Sequence, residues 1–214
     1  LISALTRYHE LTSGSVTLLG AEADKKPFKV ARDGVTRVFQ IPHLFERVSV
    51  LDNVLTGMYR RDKYNIFDAI LRTPRYLKAN SRSVAEAKAL LSLAGMLGME
   101  ELAAGSISHG QKRLLEVIRA VATEPKILIL DEPATGLTQD EMHSLTSLIR
   151  TLAAGGMCVV LIEHNVAFLM DLADIVTVIQ SGKVIAEGTP KEVQKNERVL
   201  EAYLGNTDFS KELA

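Results

Sequence analysis

Three short apolar runs, "ILIL" (127–130), "CVVLI" (158–162) and "IVTVI" (175–179), alternate with stretches of helical period in the second half of the chain. No other feature narrows the fold as far. Short, mostly apolar strands separated by helices indicate a parallel sheet covered by helices. Helices are expected where that plan needs them. "ISHGQKRLLEVIRAVATEP" places Leu114, Val117, Ile118 and Val121 on one stripe and stops at Pro125. A second helix is expected from about Asp140 to Ala153 and a third from Asn165 to Leu172. "SGKVIAEGTP" reads as a hairpin-like turn and strand, with C-terminal helices over about 190–214.

The first half is organised differently. Leu1, Ile2, Leu5 and Tyr8 have helical spacing from the first residue, and "LTSGS" ends that helix in a turn. "SVTLLG" and "GVTRVFQ" read as strands, the second entered through Gly34 and closing on Gln40. From Leu51 to about Ala104 the pattern is helical and divided by Pro74. Its segment "VAEAKALLSLAGMLGM" is expected to pack through Ala85, Leu90, Leu93, Ala94 and Leu97. The plan is an α/β core with a helical block inserted between Gln40 and "ISHGQ".

With 47% apolar and 24% charged residues among 214, the chain has the composition of a globular protein with a sizeable core. A formal charge of −1 gives no electrostatic drive toward nucleic acid or an anionic membrane. Cys158 is the only cysteine, which excludes an internal disulfide and a cysteine-rich zinc site and fits a reducing compartment. The longest nearly apolar stretch, "LAAGGMCVVLI" (152–162), is well short of the ~20 residues of a membrane helix.

Chemistry concentrates at strand and helix ends. In "ILILDEP" the apolar strand delivers Asp131 and Glu132 at its C-terminal end, where open α/β sheets place ligands. One carboxylate there can hold Mg²⁺ on nucleotide phosphates and a second can activate water; an acidic turn with no such role has the same local sequence. Ser108, Gly110 and Gln111 begin a helix, where free N–H groups favour phosphate, although Ser108 is equally explained as an N-cap and Gly110 as a turn residue. His164 ends "VVLIEH" and can reach a phosphate or its attacking water, or be purely structural. Gln40 alone says little.

The order of these features resembles the ATP-binding subunits of ABC transporters, from Leu1 to about Gly205. The resemblance implies a P-loop NTPase-like ABC ATPase core: α/β, a mostly parallel sheet, a single domain over 1–214 with a helical subdomain inserted at approximately 51–104. Gln40 matches the glutamine that touches Mg²⁺ and the attacking water, Asp131 the Mg²⁺-binding aspartate, Glu132 the catalytic glutamate and His164 the switch histidine. Ser108, His109, Gly110 and Gln111 match the signature that binds ATP of the opposite subunit, with Ile107 and His109 in place of the family's usual Leu and Gly. "ATGLTQDE" matches the loop running between the two sites, with Thr138 where Asp or Asn is usual.

The connecting text is closer still to the ATPase subunits of bacterial branched-chain amino acid importers. "VFQIPHLFERVSVLDNVLTGM", "FDAILRTPRYLKANSRSVAEA", "LIEHNVAFLMDLADIVTVIQSGKVIAEGTPKEV" and "ERVLEAYLG" carry that resemblance. It implies ATP and Mg²⁺ as cofactors and a second ABC ATPase subunit, alike or related, as partner. It also implies transmembrane permease subunits, a solute-binding protein acting indirectly, no nucleic acid, and a cytoplasmic position on the inner face of the cell membrane. Importers of amides or urea, and soluble ABC ATPases outside transport, are the alternatives. The family's P-loop, Gly-x-x-x-x-Gly-Lys-[Ser/Thr], runs into the helix at which this sequence opens and occurs nowhere within it. The expectation is that the chain as it stands does not hydrolyse ATP alone.

Overall fold

In the computed structural model, which describes residues 2–23, 26–40, 43–59 and 66–204, the run 127–130 lies in the middle strand of a three-stranded sheet. The chain forms two units, Leu1–Val160 and Leu161–Ala214.

The first unit opens with α1 (Ile2–Leu5), which ends well before Tyr8; Arg7 takes φ 59° and breaks it. The expected strand "SVTLLG" shrinks to β1 (Thr17–Leu18), paired antiparallel with β2 (Ala21–Glu22). A helix that the sequence pattern hides, α2 (Pro27–Arg32), starts on a proline and buries only Val30. β3 (Val35–Val38) follows. The helical block comprises α3 (Val50–Met58), α4 (Ile66–Ile70) and α5 (Pro74–Leu93). Pro74 does divide the block, as the first residue of α5, with Thr73 as its N-cap.

The expected packing face of α5 is not the one observed. Ser83, Ala87 and Leu91 are buried, together with Met96 beyond the helix end, while Leu93 and Leu97 are 49% and 57% exposed. The i, i+4, i+8 row of small residues and one leucine gives the helix a close approach that the larger side chains would prevent.

α6 (His109–Val121) carries its expected stripe, since Leu114, Val117, Ile118 and Val121 are all buried. Its last residue precedes Pro125 by one turn. β4 (Ile127–Asp131) pairs in parallel with β3, register Val35↔Ile127 to Val38↔Leu130, and Leu128, Ile129 and Leu130 are at most 1% exposed. α7 (Gln139–Ala154) follows, and β5 (Cys158–Ile162) completes the strand order β3-β4-β5.

The second unit holds α8 (Val166–Leu172), β6 (Val176–Gln180), β7 (Lys183–Gly188), α9 (Pro190–Val193) and α10 (Glu197–Leu204). β6 departs from expectation. It pairs antiparallel with β7 in a separate two-stranded sheet and buries Val176, with Ile175 and Ile179 exposed. The hairpin-like turn expected at Ser181–Gly182 is present, with both residues at positive φ, and it pairs β6 with β7 rather than with the parallel sheet. Val176, Ala186, Val193 and Val199 form this unit's core, with Leu169, Met170 and Ile185 packed on it. The expected helix start at Leu1 and the expected helical residues 205–214 lie outside the described residues. No helix among the described residues is long and apolar enough to cross a membrane.

Candidate functional site

Parallel pairing puts the C-terminal ends of β3 and β4 on one edge of the sheet, and the register then decides which side chains meet. Val38 pairs with Leu130 at the end of the ladder, which brings the segments that follow, with Gln40 and Glu132, side by side. Gln40 Nε2 donates to Glu132 Oε2 at 2.7 Å. Glu132 has φ 46°, a left-handed conformation that a non-glycine residue keeps only where its surroundings hold it.

Asp131, the last residue of β4, accepts from Arg37 Nη2 through Oδ2 at 2.6 Å. Arg37 is opposite Ile129 in the ladder, which makes Asp131 its diagonal neighbour on the same face. The guanidinium also lies 4.6 Å from the centre of the Phe39 ring, and that ring meets Tyr8 and His43 edge-on at 5.8 and 6.1 Å.

A second cluster stands at the start of α6. Ser108 is its N-cap: Ser108 Oγ accepts from the Gln111 N–H at 3.1 Å, and Gln111 Oε1 accepts from the Ser108 N–H at 2.9 Å, a complete capping box. The Ser108 hydroxyl and the Gly110 N–H then both donate to Glu141 Oε1, at 3.1 and 3.2 Å. A Cβ at position 110 would overlap the Glu141 carboxyl, so glycine is what admits it. Glu141 Oε2 accepts from the Thr138 N–H at 3.0 Å, and Thr138 caps α7 in a second capping box. One carboxylate therefore joins the starts of two helices. These donors, the Thr138 N–H foremost, hold the Glu141 carboxyl below its usual range. Thr138 performs the capping that Asp or Asn would perform at the same position. His109 is exposed, with its ring beside Gly136.

The expected site residues thus divide. Gln40, Asp131 and Glu132 are brought together at the sheet edge; Ser108, His109, Gly110 and Gln111 form the α6 cluster; His164 follows β5 in the second unit. Arg37, Glu141, Arg113 and Glu116 were not expected. The spacing Thr138-x-x-Glu141 was the available signal for Glu141. Arg113 and Glu116 fall with Lys112 and Arg119 on the polar side of α6, so nothing in the sequence marks them as buried.

Residues 1–135 match the ABC transporter family. The chain belongs to that family. Residues 183–208 further match the branched-chain amino acid ATP-binding cassette transporter family. Over 205 residues the ABC chain is 35% identical to the high-affinity branched-chain amino acid transport ATP-binding protein LivG of Salmonella typhimurium, covering 95% of this chain and 80% of the relative. It is 34% identical, with the same coverage, to the corresponding protein BraF of Pseudomonas aeruginosa. Among solved structures, an ATP-binding cassette of an ABC transporter in its ADP conformation superposes with a TM-score of 0.78 at 27% identity, covering 96% of this chain and 82% of that one. The expected fold class, an α/β ABC ATPase core with a parallel sheet, is the observed one, and ATP binding comes with the family. The expected inactivity of the chain on its own finds no support in these likenesses.

Proposed function

We propose that this chain is the ATP-hydrolysing subunit of an ABC importer for branched-chain amino acids. The observation that carries the catalytic part is the contact between Gln40 and Glu132 at the shared edge of two parallel strands. The part about the solute rests on the names of the relatives and on the C-terminal match.

On this proposal Glu132 accepts a proton from water as the water oxygen attacks the γ-phosphorus of ATP and the bond to the ADP oxygen breaks. Gln40 orients Glu132 and the water. Mg²⁺, when bound with the nucleotide, would supply charge neutralisation, and it would need one or two hard oxygen donors from the protein. Asp131 Oδ1 and the Gln40 amide oxygen fit that need, because Arg37 engages Oδ2 and the Gln40 nitrogen already faces Glu132. His164 is assigned to the γ-phosphate. Ser108, His109, Gly110 and Gln111 are assigned to the ATP of the opposite subunit; two donors there, the Ser108 hydroxyl and the Gly110 N–H, are those that hold the Glu141 carboxylate.

The domain organisation proposed is a single ABC ATPase domain with residues 51–104 as its helical subdomain. The partners proposed are a second ATPase subunit, permease subunits and, through them, a solute-binding protein, with the ATPase on the inner face of the membrane. The test is reconstitution of the intact gene product with its permease and binding protein in vesicles. Leucine, isoleucine and valine should stimulate ATP turnover and enter the vesicles, whereas urea and short amides should not. Stimulation by urea or amides alone would overturn the assignment of the solute.

A further inference from the structure

Arg113 and Glu116 are 1% and 3% exposed, one turn apart on α6, and paired through Arg113 Nη1 and Glu116 Oε2 at 2.9 Å. Their remaining hydrogen bonds go to the main chain at the end of β3. Arg113 Nη1 donates to the Phe39 carbonyl at 2.8 Å, and Nη2 donates to the Gln40 carbonyl. Glu116 Oε1 accepts from the His43 N–H at 3.1 Å. Phe39, Gln40 and His43 belong to no helix or strand, so these contacts take the place of a ladder.

Stability is a poor explanation for such a pair. Burying two charges costs about as much as their attraction returns, and apolar residues of similar volume would serve as well. The desolvation cost is visible here: burial pushes the Glu116 carboxyl up, against the His43 N–H and the charges of Arg113 and Arg119, which pull it down. Geometry explains the pair better. A planar guanidinium with fixed donors can hold two successive carbonyls, which an ammonium cannot do with the same fixity. The residue so held, Gln40, reaches Glu132 at 2.7 Å, and the helix that holds it begins with Ser108 and Gly110.

We infer that Arg113 and Glu116 are positioning residues for Gln40, fixing its main chain to α6 so that its amide meets Glu132. The inference rests on the proposed role of Gln40 and Glu132 in turnover. Arg113 acts through Gln40 and touches no reacting atom.

The test is a double-mutant cycle in the intact gene product. Arg113→Lys keeps the charge beside Glu116 but loses the fork. It should lower kcat for ATP by roughly 10- to 100-fold, the effect of misplacing a reacting group by about 1 Å, with KM for ATP little changed. In a Gln40→Ala background the same substitution should change kcat less than about twofold, because coupled residues are not additive. An equal fall of kcat in both backgrounds, or no fall at all, overturns the inference. If Gln40→Ala alone leaves turnover intact, the proposed role of Gln40 fails instead. The clamp itself is read without any variant by amide exchange. The His43 N–H should exchange slowly in the native protein, and exchange at the rate of open loop amides overturns the clamp.

Discussion

Gly57 is placed where α3 crosses α6, and replacing it with alanine sets two effects of opposite sign against each other. By helix propensity alone the change stabilises by about 1 kcal/mol. The structure opposes it. A Cβ on Gly57 would overlap the Arg119 carbonyl oxygen and stand 2.9 Å from the Ala122 Cβ. The overlapped atom is helix main chain and cannot rotate aside, so α3 must retreat by about 1 Å to reach an ordinary contact distance of 3.5–4.0 Å. A retreat of that size forfeits a quarter to a half of each dispersion contact it opens. α3 buries Val50, Val54 and Met58 to 1% exposure or less, so the contacts at stake are tightly made. Overpacking of this kind costs about 3 kcal/mol at the upper end of its usual range, leaving about 2 kcal/mol of net destabilisation. For a chain of this size that is a fall in Tm of roughly 4–8 °C. Thermal unfolding of Gly57→Ala followed by circular dichroism checks it. An unchanged or raised Tm would show that propensity outweighs the crossing and would refute the packing argument.

Other perturbations probe the charged groups. Glu141 has its folded pKa below 4.5, so its contribution is fully present above pH 4.5 and is lost as pH falls through the lowered value. Glu141→Gln should therefore reduce stability at pH 7, with the gap to the parent protein closing in acid, as read by urea melts at several pH values. Glu116 has the opposite sign: its folded pKa is raised, so stability falls as pH rises from 4.5 through the raised value, and Glu116→Gln should flatten that slope. Arg37→Met leaves Asp131, only 18% exposed, without its partner; a loss of about 1–3 kcal/mol is expected in the same melts, between the values for exposed and buried pairs.

What the sequence disclosed depended on whether a signal was local. β4 was visible because both faces of Leu128–Leu130 are covered, and α6 because its stripe repeats at helical period. Gln111 and Ser108 were visible as a helix start, and the capping box bears that out. The same logic misplaced residues 175–179 in the parallel sheet; the hairpin-like turn read at Ser181–Gly182 is present and pairs that run with β7 instead. It misread α5 because packing is decided by fit, and small Ser83 and Ala87 fit where Leu93 does not. The pairings of Arg37 and Arg113 left no trace. Arg37 meets Asp131 only through the β3–β4 register, and Arg113 meets Phe39 and Gln40 across more than seventy residues of chain. A buried ion pair looks in sequence like any solvated Arg and Glu on a helix.

The central claim is that Glu132, held by Gln40, is the group on which ATP hydrolysis depends. Glu132→Gln in the intact gene product tests it most directly, through binding and turnover measured on one preparation. ATP should still bind, with the ATP-bound dimer accumulating, while turnover falls by at least ~100-fold, the scale of a lost general base. Turnover at the parent rate in Glu132→Gln would contradict the account.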